Sequence, residues 1–151
     1  MRAVAFTFVQ NDLVALKLWL SYYRRYFDRL HILYSLEYTR DDTLARIADL
    51  GVRYKSMTYG ETSPELIKEH GELVGIRLVI QKKYEEFLED CDWVMFSNLD
   101  EILIADPRRY RGLRDLMRRR KDSWIACKAF EVIQVDGEEP IDYNKPYLKQ
   151  R

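Results

Sequence analysis

Residues 92–107, DWVMFSNLDEILIADP, hold the side chains best suited to chemistry. An apolar run ends in Asn98, Asp100 and Glu101. If the strand period of two continues to its end, Asn98 and Asp100 share one side and Glu101 takes the other. Two hard oxygen donors on one side suit Mg²⁺ or Mn²⁺ carried with a diphosphate, since both ions favour carboxylate, amide carbonyl and water oxygens. Such a cation stabilises negative charge on a departing diphosphate. A second reading stands beside this one. Asx-rich turns are common, and Asn98 and Asp100 would then cap backbone groups between two strands.

The elements that must position these residues follow from hydrophobic periodicity. Residues 3–9 form an apolar strand running into Gln10, Asn11 and Asp12, a polar stop and helix cap. Leu13, Leu16, Leu20 and Tyr23 recur at helical spacing and predict a helix over 13–26. Residues 29–35 read as a second strand. A short helix capped near residues 39–42 is expected to stop at Gly51, with a third strand over 52–57 and a loop over 60–64. Residues 64–88 read as two helical pieces meeting near His70 and Gly71. A fourth strand covers 91–96, a helix 110–120 and a long strand 124–135. Alternating strands and helices predict an α/β fold with a mostly parallel, doubly wound sheet. Such sheets bind ligands at the carboxyl ends of their strands, so the polar residues there are the candidates.

Composition narrows the field further. The 151 residues carry 25 Lys+Arg against 25 Asp+Glu, are 47% hydrophobic and contain only 6 Gly and 4 Pro. That excludes a disordered or collagen-like chain and predicts one domain over residues 1–151. Zero net charge argues against a nucleic-acid partner. No GxGxxG or GxxxxGK[ST] loop is present, which disfavours dinucleotide oxidoreductases and P-loop enzymes. Cys91 and Cys127 lack the short spacing of a zinc site, and read as buried, reduced thiols of a cytoplasmic protein. No signal peptide and no membrane-spanning run is expected. His31 reads as a packed strand histidine, and Trp19 and Trp93 as core.

The order of these motifs resembles the family 2-like glycosyltransferases of the GT-A fold. Many of those have a strand ending in Asp-x-Asp-Glu before an apolar pair. Here Asn98-Leu99-Asp100-Glu101-Ile102-Leu103 stands in that place. They open with a strand, Asn-Glu, and a helix containing Trp-Leu-x-Tyr, matched here by Asn11-Asp12 and Trp19-Leu20-Ser21-Tyr22. Tyr34-Ser35, then Thr39-Arg40-Asp41-Asp42-Thr43, is similar to the segment after the family's second strand. The C-terminal EVIQVDGEEPIDYNKPYLKQR is similar to a bacterial subgroup. The resemblance implies transfer of a sugar from a nucleotide-sugar donor to a glycan or lipid-linked acceptor, with Mn²⁺ or Mg²⁺. Carried over by position, Asn98 and Asp100 would hold the metal and diphosphate. Asp100 would be the essential catalytic carboxylate, with Glu101 beside it. Asn11, Asp12, Ser35 and Asp41 would line the nucleotide-sugar pocket.

The chain departs from the family in three places. Asn98 replaces a carboxylate, Ser35 replaces an aspartate, and the chain stops before the family's Trp-x-x-Gly-x-His segment. The resemblance therefore implies a donor-binding domain lacking its acceptor portion. A non-catalytic nucleotide- or partner-binding remnant and a nucleotidyltransferase-like enzyme stand as alternatives. Residues 108–121 bring eight basic groups and one acid. They read as a solvated face, or as a peripheral contact with the inner face of a membrane.

Overall fold

A computed structural model describes residues 1–53, 56–121 and 125. The chain divides into two compact units, Met1–Arg120 and Lys121–Arg151, and the first is described here. Apart from Ile125, the residues of the strand expected over 124–135, Cys127 among them, lie outside the described residues.

The apolar run at the N-terminus forms β1 (Ala3–Val9), and Asp12 caps α1 (Leu13–Tyr23). There follow β2 (Arg29–Tyr34), α2 (Asp41–Arg53), β3 (Met57–Glu61), α3 (Pro64–His70), α4 (Glu72–Leu88), β4 (Trp93–Phe96) and α5 (Leu113–Arg119). All strand pairs are parallel and the sheet order is β3-β2-β1-β4. The expected α/β class and parallel sheet are therefore present.

Strand alternation divides the core into two layers. Ala3, Ala5, Val9, Leu30 and Ile32 face α1, α2 and α5. Val4, Phe6 and Leu33 face the other way, against Val79 and Phe87 of α4. Both sheet faces are thus covered by helices, as a parallel sheet requires.

The expected third strand is misplaced by five residues. The helix runs through Gly51 to Arg53, and Val52 is 84% exposed on its surface. Thr43, Ile47 and Leu50 make its buried stripe, so α2 needs no glycine stop. The strand begins at Met57, paired with Leu30, and absorbs Gly60 and Glu61 from the expected loop. α1 stops at Tyr23, three residues early, where the Phe27 N–H still bonds the Tyr23 carbonyl at 3.1 Å. Gly112 delays α5 to Leu113. Its φ of 153° favours glycine, and a Cβ there would stand 3.0 Å from the Tyr26 ring.

The two helical pieces over 64–88 do meet at Gly71, whose φ is +78°. Cys91 is half-buried rather than buried, with its thiol 3.3 Å from the Asp90 carboxylate.

His31 is packed as expected, at 7% exposure. Its Nδ1 lies 2.7 Å from Thr58 Oγ1, its Nε2 has no partner among the described residues, and Phe87 covers the ring edge-on. Burial lowers its pKa to about 4, aided by Lys83 and Arg29 and opposed by Glu86. The neutral ring is the folded form, so its contribution is complete above the ordinary value of 6.5 and is lost as pH falls toward 4. The full loss is about 3 kcal/mol. Urea titrations of the native chain should show that loss between pH 6.5 and 4, and His31→Leu should lack it. A native profile that stays parallel to the variant's would refute the assignment.

Candidate functional site

The sheet order reverses beside β1. The chain moves from β1 to β2 to β3, then crosses back so that β4 lies on the other flank of β1. Connections therefore diverge between the carboxyl ends of β1 and β4, which opens a crevice there. The structure has an open cleft of about 710 Å³ at that point. Phe8 and Phe96 form its inner end, and Ile76 and Ile80 of α4 form an apolar wall. Gln10, Asn11, Asp12 and Asn98 supply the polar edge.

Each polar group is held differently. Asp12 Oδ1 accepts the Ala15 N–H at 2.8 Å and caps α1. Asn11 spans two segments: its amide donates to the Tyr38 carbonyl at 3.0 Å, and its oxygen accepts the Arg40 N–H at 3.0 Å and Thr43 Oγ1 at 3.3 Å. Asn11 thus fastens the β2–α2 loop to the end of β1. Ser35 is buried at the start of that loop, and its carbonyl accepts the Tyr38 and Thr39 N–H groups. Asp41 is exposed in the first turn of α2. Neither Ser35 nor Asp41 lines the cleft.

The turn after β4 differs from the alternation expected for it. The strand ends at Phe96, and residues 98–101 fold back on themselves. The Glu101 N–H donates to the Asn98 carbonyl at 3.1 Å. The Glu101 carboxylate in turn accepts the Asn98 N–H at 2.9 Å and the Asn98 side-chain amide at 3.1 Å. A turn, unlike a strand, brings the first and fourth residues together. Glu101 is therefore a positioning residue for Asn98, aiming its remaining amide oxygen. Asp100 is exposed, lies beside the cleft-lining Leu99, and has no hydrogen-bond or ion-pair partner among the described residues.

Helix α1 holds this turn through aromatic side chains with polar ends. Trp19 Nε1–H donates to buried Ser97 Oγ at 2.8 Å. Tyr23 OH donates to the Glu101 carbonyl at 3.1 Å and accepts the Leu103 N–H at 2.8 Å. Tyr22 OH donates to the Leu103 carbonyl at 2.8 Å. Helical periodicity reads these rings only as packing; their hydroxyl and indole groups carry the positioning, and that pairing is visible only in three dimensions. Tyr23→Phe leaves two backbone groups without a partner and should cost about 2 kcal/mol. Urea unfolding measures that loss, and hydrogen exchange should show the Leu103 amide losing protection first.

Among the described residues no group of three or more His, Cys, Asp or Glu side chains could share a metal ion. The donors at the turn, the Asn98 oxygen and the Asp100 carboxylate, are hard and few. They fit Mg²⁺ or Mn²⁺ that arrives with a diphosphate and takes most of its ligands from phosphate and water. Among the described residues the cleft lining contains no Lys or Arg. A diphosphate there would face Asp12 with no protein cation opposite it, so a bound divalent ion would supply the missing charge. The structure thus gathers Asn11, Asp12 and Asn98 in one cleft, puts Asp100 and Glu101 on its adjoining turn, and leaves Ser35 and Asp41 behind Asn11. The chain matches no protein-family model, no curated protein and no solved structure.

Proposed function

We propose that the cleft binds a nucleotide-diphosphate sugar together with Mn²⁺ or Mg²⁺, and that the chain is the donor-binding part of a GT-A-like glycosyltransferase. The acceptor would be a glycan or lipid-linked hydroxyl compound, on the cytoplasmic side. The observation that supports this is the cleft itself, which sits at the reversal of strand order with Asn11, Asp12 and Asn98 on its polar edge. The metal, when bound, would offset charge developing on the departing diphosphate. Asp100 and the Asn98 oxygen would hold that ion, Glu101 would fix the orientation of Asn98, and Phe8 and Phe96 would exclude water from the inner end. Asn11 would keep the β2–α2 loop against the cleft as the nucleotide enters.

A second reading has its own support. The polar groups of Asn11 and Asp12 are already engaged within the protein, and Asn98 lacks the charge of a carboxylate. These features suit a module that binds a nucleotide or a partner without turnover.

A thermal-shift panel with Mn²⁺ separates these readings. Uridine or guanosine diphosphate sugars should raise the melting temperature, and nucleoside triphosphates should not. Triphosphates acting alone would favour a nucleotidyltransferase. Stabilisation by the sugars without release of nucleoside diphosphate in the presence of acceptor would favour the binding module. No response to any nucleotide would reject both enzyme readings and the nucleotide-binding form of the module.

A further inference from the structure

We infer that the end of the sheet opposite the cleft carries a docking surface for an anionic lipid bilayer. Helix α1 starts at the carboxyl end of β1 and finishes at the other end of the sheet, so exposed Arg24 and Arg25 lie away from the cleft. The loop and helix over residues 108–119 join them there. Gly112 sits against the Tyr26 ring, and Arg114 donates to the Tyr26 carbonyl at 3.2 Å and to Asp28 at 2.9 Å. Chain segments far apart in sequence thus build one basic surface.

Its pairing pattern leaves charge to spare. Arg114 is answered by Asp28, Arg119 by Asp115 and Arg109 by Asp106. Arg25, Arg108, Arg111 and Arg118 are exposed and have no carboxylate within ion-pair distance among the described residues, although Arg111 shares the field of Asp115, which Arg119 already pairs. Four such charges on one surface suffice for reversible attraction to acidic headgroups, because only groups within about 10 Å of the bilayer sense its potential. Because the whole chain is neutral, the rest of it carries a compensating acidic excess, which weakens long-range attraction to an extended polyanion such as nucleic acid. Tyr26 and Tyr110 lie half-buried among the arginines, and tyrosine rings settle at headgroup level. This inference does not depend on what the cleft binds. It turns the cleft away from the membrane, which, of the two proposed acceptors, would favour a glycan over a lipid-linked compound.

Co-sedimentation of the full chain with vesicles tests it. Binding is expected to vesicles of phosphatidylcholine with phosphatidylglycerol, and to be lost with pure phosphatidylcholine or at high salt. Arg111→Gln with Arg118→Gln should lower the partition about 25-fold. Leu73→Gln, at a residue 79% exposed in the first turn of α4, should leave it unchanged. Binding without dependence on phosphatidylglycerol, an equal loss in Leu73→Gln, or tighter binding to duplex RNA in the same buffer would each overturn the proposal.

Discussion

Asp100→Ala is expected to abolish cation-dependent binding of a nucleotide sugar while leaving the unliganded protein as stable as before. The side chain is exposed and has no hydrogen-bond or ion-pair partner among the described residues. Its removal should therefore change folding stability by no more than about 0.5 kcal/mol. Its loss would nevertheless take the one uncommitted carboxylate from the turn, because Glu101 is spent on Asn98 and Asp12 on the cap of α1. Among the described residues lining or adjoining the cleft, little would then remain to hold a cation beside a diphosphate. Calorimetric titration with Mn²⁺ and the nucleotide sugar that stabilises the native chain reads the effect. Native-like affinity in the variant would remove Asp100 from the proposal.

Gly75→Ala should be the most destabilising alanine substitution among the described glycines. The Cβ would lie 2.5 Å from the Ile67 Cα, 2.8 Å from the Leu66 carbonyl oxygen and 2.9 Å from the Ile67 nitrogen. All three are backbone atoms, so no side chain can rotate away. Helices α3 and α4 would have to separate by more than an ångström, opening Ile67 and Val79 to water. Overpacking a tight core costs about 1–3 kcal/mol where side chains can give, and a backbone obstacle places this case at or above that upper end. The better helix propensity of alanine returns no more than about 1 kcal/mol. The wall of the cleft moves with α4, since Ile76 and Ile80 belong to that helix. Urea unfolding should show a net loss of about 2–3 kcal/mol, with weakened nucleotide-sugar binding alongside it. Gly71→Ala is a useful contrast: nothing lies within 4 Å, and only the φ of +78° is strained.

Much of the fold is legible along the chain because its signals are local. The apolar run before Asn11 can only be a buried strand, and Asp12 followed by Leu13, Leu16 and Leu20 marks a capped helix. Gly71 separates two helices because few other residues adopt its backbone. The error at residues 52–57 has an equally local cause. Gly51 resembles a helix stop, and Val52 is apolar and β-branched. The helix wins because Ile47 and Leu50 bury its stripe in the sheet, a gain larger than the small propensity cost of Gly51 and exposed Val52.

The candidate site divides in the same way. Types and spacing alone marked Asn98, Asp100 and Glu101, and the position of Asn11 and Asp12 after the first strand. The pairing of Asn98 with Glu101 required the turn to close, which a period of two cannot express. The assignment of Trp19 and Tyr23 as supports of that turn required helix α1 to lie across residues 97–103. The same holds for the basic surface, where Arg24 and Arg25 meet residues 108–119 only after folding. Patterns of polarity along a chain determine which stretches become strands and helices, because burial and capping act within a few residues. Which polar groups end up sharing one cleft, or one charged surface, is decided by packing between segments about eighty to ninety residues apart, as in the bonds from Trp19 to Ser97 and from Arg114 to Asp28.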